Sequence, residues 1–203
     1  MLITLLDGRA FAAGELARAA NISPQSASMH LGQLLNGGLV NVSQQGRRRY
    51  YSVASPEVAH AIEALGVVST THKPKTRAHQ NELSYARTCY DHLAGQIAVR
   101  LAEAFERGGF LTAVNRSAYL VTECGEELFS RWNIDIAKLR GLHRSFARPC
   151  LDWTERRPHV AGALGAAIYQ TFLEFRWIVR SSNGRVVRLT SRGTHELDRF
   201  LRC

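Results

Sequence analysis

The segment Ser23-Pro24-Gln25-Ser26-Ala27-Ser28-Met29-His30-Leu31-Gly32-Gln33-Leu34-Leu35-Asn36 is followed by Gly37-Gly38-Leu39-Val40 and then by Gly46-Arg47-Arg48-Arg49-Tyr50-Tyr51. Serine before proline marks a helix start, because the serine oxygen takes a free N–H of the first turn and proline sits where no N–H is needed. The predicted helix runs from Pro24 to about Asn36 and stops at the glycine pair. At 100° per residue, Ala27, Leu31, Leu34 and Leu35 share one apolar face. The opposite face carries Gln25, Ser26, Met29, Gly32, Gln33 and Asn36, flanked by Ser28 and His30. It is uncharged and built mostly from short polar groups, which can approach base edges.

On the N-terminal side, Ala13–Ala20 reads as a short helix and Asn21-Ile22 as a turn, so two helices meet in a helix-turn-helix. On the other side, Leu39–Ser43 and Arg49–Val53 are β-rich runs around Gln44-Gln45-Gly46, a hairpin. Three adjacent arginines at its tip repel one another unless phosphates or a narrow minor groove receive them. The plainer alternative is a solvated edge that blocks sheet aggregation. Leu2–Leu6 is a helix-like apolar run, and Ser55-Pro56 opens another helix to about Leu65.

Composition agrees with a folded chain that meets an acidic partner. Of 203 residues, 45% are hydrophobic and 21% charged, which excludes disorder and collagen-like repeats. A formal charge of +9 favours nucleic acid as partner. Residues 1–70 hold five Arg against four acids, so most of the excess lies beyond them. No apolar run is long enough to span a membrane. Asp7, Arg9 and Glu15 interrupt the N-terminus, so no signal peptide is expected and the expected location is cytoplasmic. Without export, Cys89, Cys124, Cys150 and Cys203 are expected to be reduced.

Residues 69–81 are polar and basic and form the expected linker. It divides a head, 1–68, from a tail, 82–203. The tail repeats itself. Arg87-Thr88-Cys89-Tyr90-Asp91 matches Arg148-Pro149-Cys150-Leu151-Asp152, and His92-Leu93-Ala94-Gly95 matches His159-Val160-Ala161-Gly162. Each is followed by a helical stretch, an aromatic turn and a Thr-x-x-Gly motif. The expected fold is mainly α with small β-hairpins (α+β): a winged helix-turn-helix followed by two repeated helix–ribbon–helix units.

Residues 10–68 resemble the winged helix-turn-helix of the ArsR/SmtB family of bacterial repressors. Glu15-Leu16-Ala17, Ser28-Met29-His30-Leu31-Gly32-Gln33-Leu34, Gly38-Leu39-Val40 and Gly46 to Tyr51 carry the likeness, over about a third of the chain. The tail resembles a longer subgroup, through Cys89–Gly95 and Cys150–His159. The resemblance implies a dimeric DNA-binding repressor reading an inverted-repeat operator. On the helix face and wing described above, Gln25, Ser26, Ser28, Met29 and His30 are expected to meet bases, and Arg47, Arg48 and Arg49 phosphates or the minor groove. Only the end of the family's N-terminal dimerisation helix is expected here, so dimerisation would lean on the Pro56–Leu65 helix and the tail. The family's Cys pair on the first reading helix is absent between Glu15 and Ala20. His60 and Glu63 are too few for its other metal site and are expected to face solvent.

Cys89-x-x-His92 has the spacing of half a zinc site, and Cys150 with His159 takes matching places in the second unit. The four are a candidate metal set; buried packing and thiol redox sensing stay open. Tyr90 and Trp153 could instead line a small-molecule pocket, so the effector and any cofactor stay open. Cys89 and Cys150 are expected close together, near helix starts that would lower a thiol's pKa. The alternatives from other classes are a Cys150–His159 enzyme and a co-regulator scaffold that no longer binds DNA; the expectation is that the chain is not an enzyme.

Overall fold

The computed structural model describes residues 1–68, 77–115, 117–181 and 184–201. The head runs α1 (Leu2–Leu5), β1 (Phe11–Ala12), α2 (Ala13–Ala20), α3 (Pro24–Asn36), β2 (Val40–Gln45), β3 (Arg48–Val53) and α4 (Pro56–Val68). Ser23 caps α3 as expected, accepting from Ser26 N at 3.1 Å. Glu15 folds back on the start of α2, where it accepts from Ala12 N at 2.7 Å. β2 and β3 form an antiparallel hairpin in the register Gln45↔Arg48 to Val40↔Val53. β1 adds a third strand, giving the order β1-β3-β2.

Leu5, Leu6, Leu16, Leu31, Val40, Tyr51, Val53 and Ala59 make the head core. Each fully buried Leu or Val contributes about 1.5–3 kcal/mol. The apolar face of α3 is narrower than its wheel implied. Ala27 and Leu31 are buried, but Leu35 is 39% exposed. It lies on the rim of a groove between α3 and the hairpin.

The tail runs α5 (Arg77–Tyr85), β4 (Arg87–Cys89), β5 (His92–Ala94), α6 (Gln96–Arg107), β6 (Leu111–Asn115), β7 (Ala118–Val121), α7 (Glu123–Arg131), α8 (Ile136–Arg140), β8 (Arg148–Leu151), β9 (Pro158–Ala161), α9 (Gly162–Glu174), β10 (Ile178–Arg180), β11 (Val187–Leu189) and α10 (Ser191–Leu201). Two expectations change. Residues 77–81 of the expected linker open α5, while 69–76 lie outside the described residues. Each half of the tail also begins with a ribbon that the helix–ribbon–helix reading lacked: β4–β5 precedes α6, and β8–β9 precedes α9.

The halves correspond in local geometry. Gly95 and Gly162 follow their ribbons with φ of 89° and 82°. A Cβ there would lie 2.8 Å from Ser84 O and 2.7 Å from Ser145 O respectively, so only glycine fits. In the Thr-x-x-Gly motifs, Gly125 N donates to Thr122 Oγ1 at 3.0 Å and Gly193 N to Thr190 Oγ1 at 2.9 Å. The tail core is aromatic, with Trp132 packed edge-on against Phe105, Phe129, Phe172 and Trp177.

Head and tail meet through side chains that sequence alone left unconnected. Tyr90 packs against the head core, and Tyr90 N donates to Leu6 O at 2.9 Å. Buried Asp7 pairs with Arg9 and Arg180. His60 is exposed as expected, whereas Glu63 is buried and pairs with Arg185 of the tail. An ionised Glu in the interior needs such a partner.

Candidate functional site

Two places concentrate chemistry. The first is the outer face of α3 with the hairpin beside it. Gln25, Ser28, Met29 and His30 are exposed, and Ser26 is half-buried, with its hydroxyl 3.0 Å from Ser23 Oγ. His30 Nδ1 lies 3.4 Å from Gln33 Oε1. Arg47, Arg48 and Arg49 are all exposed. Arg47 occupies the turn, and Arg48 and Arg49 begin β3 on opposite faces. The two arms of this surface frame a groove of about 400 Å³ lined by Ser28, Leu31, Gly32, Leu35 and the three arginines. An uncharged helix face beside a cationic ribbon can press short polar groups toward base edges while the arginines neutralise phosphates.

The second place lies between the leading ribbons of the tail. Cys89 and His92 are cross-strand partners in β4–β5, and Cys150 and His159 are partners in β8–β9. All four are buried. The ribbons face each other, so the donor atoms of all four lie within 4.8 Å of one another. Cys89 Sγ is 3.9 Å from Cys150 Sγ, and His92 Nε2 is 3.1 Å from His159 Nε2. Ala94 and Ala161 complete the small buried cluster.

The outer ring nitrogens both turn toward carboxylates. His92 Nδ1 is 3.1 Å from Asp91 Oδ1, and His159 Nδ1 is 3.7 Å from Asp152 Oδ2. Arg144 pairs with Asp91 at 2.7 Å and buried Arg87 with Asp152 at 2.9 Å. Sequence reasoning named Asp152 only as an orienting acid for the enzyme alternative and missed Asp91, Arg87 and Arg144 as functional residues. The repeated Arg-x-Cys-x-Asp was the signal for Arg87, Asp91 and Asp152, since it puts an acid two residues after each cysteine, whereas Arg144 lies outside the motif.

Protonation follows from the packing. The bond to Cys150 and then burial push the Cys89 thiol up to about 12. At Cys89 the expectation of a lowered thiol pKa fails, because the thiol is bonded to Cys150 and buried at the end of a strand. Burial opposes a charge on His92, but the Cys89 sulfur and the Asp91 carboxylate outweigh it and lift the imidazole to about 9. Burial holds His159 below the ordinary imidazole range.

A model described as "Helix-turn-helix domain" matches residues 1–43, covering α1 to α3 and the start of the hairpin. The "Uncharacterized HTH-type transcriptional regulator YdfF" of Bacillus subtilis (strain 168) is 43% identical over 204 residues, spanning 99% of this chain and 90% of that protein. The chain belongs to the HTH-type transcriptional regulators. No solved structure matches it. The likeness to YdfF runs through the tail as well as the head, so the ribbons and their Cys–His cluster fall within the shared region. This DNA-binding regulator thus joins a reading head to a tail carrying a buried cluster suited to sensing an effector. Among the described residues no helix is long and apolar enough to cross a membrane.

Proposed function

We propose that the chain is a cytoplasmic, homodimeric repressor of the ArsR/SmtB type that reads an inverted-repeat operator in double-stranded DNA. The observation that carries this reading is the uncharged face of α3 lying beside a hairpin tipped by three exposed arginines. In it Gln25, Ser26, Ser28, Met29 and His30 choose bases, while Arg47, Arg48 and Arg49 hold phosphate or minor groove. A dimer places its two α3 helices in major grooves about one helical turn apart. Residues 1–68 form the reading domain and 82–203 a duplicated sensing and dimerisation domain; the paired glycines and Thr-x-x-Gly caps support duplication.

Footprinting on the region upstream of the chain's own gene, beside sedimentation of free protein, tests this. The expected result is a two-fold symmetric footprint with half-sites one turn apart and a dimer at micromolar concentration. A monomer with no footprint would refute it.

A further inference from the structure

We infer that Cys89, His92, Cys150 and His159 bind one thiophilic divalent ion of the zinc type, closed inside the tail. The distances match. With metal–sulfur bonds of about 2.3 Å and metal–nitrogen bonds of about 2.0–2.1 Å, a tetrahedral centre separates its sulfurs by about 3.8 Å and its nitrogens by about 3.3 Å. Here the sulfurs are 3.9 Å apart and the Nε2 atoms 3.1 Å. A disulfide would require about 2.05 Å between sulfurs.

Orientation agrees with distance. Each imidazole presents Nδ1 to a carboxylate, at 3.1 Å for His92 and 3.7 Å for His159. The Asp91 carboxylate fixes the His92 ring and leaves its Nε2 as a metal-binding lone pair. Both Nε2 atoms and both sulfurs lie within 4.8 Å of one another, in a buried cluster that Ala94 and Ala161 complete. His159 Nδ1 has no hydrogen-bond partner, and a small ring rotation on ligation would bring it to Asp152.

The ligand types choose the ion. Two thiolates with two imidazoles favour zinc-type ions over magnesium or calcium, which take oxygen ligands. Four protein ligands leave no open position for water or substrate, so the centre holds structure or signals occupancy and does not catalyse. Ligation would release the thiol protons, as metal binding to cysteine requires. The β4–β5 and β8–β9 ribbons would then be tied together at their cross-strand pairs.

The test is titration of the full chain, purified reduced and stripped with chelator, with Co(II). The expected result is one equivalent bound, with the intense visible bands of tetrahedral cobalt and thiolate-to-cobalt charge transfer, all bleached by one equivalent of Zn(II) and unaffected by Mg(II). Cys150→Ser should lose this spectrum, whereas Cys124→Ser, altering an exposed thiol on α7, should keep it. Should Cys150→Ser fail to fold, Asp91→Asn takes its place, since it retains all four ligands and is expected to bind Co(II) about 10–100-fold more weakly. A weak octahedral spectrum, a tetrahedral spectrum that survives Cys150→Ser, or Asp91→Asn binding as tightly as the native chain would overturn the inference. The readout is independent of DNA, so its failure leaves the repressor reading intact, and the reverse.

Discussion

Replacing Arg87 by methionine isolates the ion pair behind the Cys–His cluster. Arg87 and Asp152 are 1% and 0% exposed, and their charged atoms are 2.9 Å apart. The guanidinium also donates to Leu83 O at 3.1 Å and lies 4.8 Å from the Trp153 ring centre. Methionine keeps the aliphatic stem but strands the carboxylate, and breaking a buried pair this way costs about 3–5 kcal/mol. Asp152 retains bonds from Gly95 N at 2.7 Å, Thr154 N at 2.9 Å, Thr154 Oγ1 at 2.7 Å and Glu155 N at 3.2 Å. The lower end, about 3 kcal/mol, is therefore expected. Trp132, Trp153 and Trp177 all lie in the tail, with Trp153 beside Gly66 of α4, so tryptophan fluorescence in urea reads unfolding of the tail and of its contact with the head. Adding Asp152→Asn removes the stranded charge, and the double variant should cost at least about 1.5 kcal/mol less than the two single costs together.

Acid titration gives a second reading of the same pair. Burial works against ionising Asp152, yet Arg87, Thr154, His159 and Gly95 outweigh it and hold the carboxyl far below its ordinary value. With the folded pKa depressed, the contribution is complete at neutral pH and is lost as pH falls below about 4 toward the folded value. Arg87→Met raises the folded value, so its stability should fall less steeply between about pH 4 and pH 2. A single-variant cost under about 1 kcal/mol, or additivity within about 0.5 kcal/mol, would show that the pair does not hold the cluster's support together.

Changing Arg47, Arg48 and Arg49 together to Ala should weaken binding to every duplex and lower the slope of log affinity against log salt, by about 0.9 for each phosphate no longer neutralised. Gln25→Ala should instead relax preference at one operator position by about 1–3 kcal/mol, read from affinities for single-base variants. Gly193→Ala would put a Cβ 1.8 Å from Trp177 O, a backbone atom, and should destabilise the tail by about 2–3 kcal/mol in urea. Because Tyr90 joins the β4–β5 turn to the head core, Tyr90→Ala should shrink any change in DNA affinity caused by chelation; an undiminished response would place the coupling elsewhere.

What was legible in the sequence was local. Ser23-Pro24 starts α3, Gly37-Gly38 ends it, and Gly46 marks the hairpin tip, because capping and turn chemistry act within a few residues. The strands of the leading ribbons are three or four residues long, too short to show alternation, so β4–β5 and β8–β9 were legible only as ligand spacings. β1 has two residues and exists by pairing with Tyr50 and Tyr51 of β3. Glu63 reads as a surface acid on a helix; its partner Arg185 is 122 residues away, a separation no local pattern reports. The repeated Cys, His and Gly were visible in sequence, but which faces the ribbons turn to each other is set by packing of α9 against β5 and β9. There a Cβ on Gly165 would lie 2.3 Å from Val160 O.

DNA recognition by α3 and its wing is tested by an anisotropy titration of the full native chain. It compares the duplex upstream of its own gene with a scrambled duplex of equal length, at two salt concentrations. The expected result is binding to the upstream duplex that is tighter by at least about 10³-fold, with affinity for both falling as salt rises. Equal affinity for the two duplexes, or no salt-sensitive binding to either, would contradict recognition by this surface.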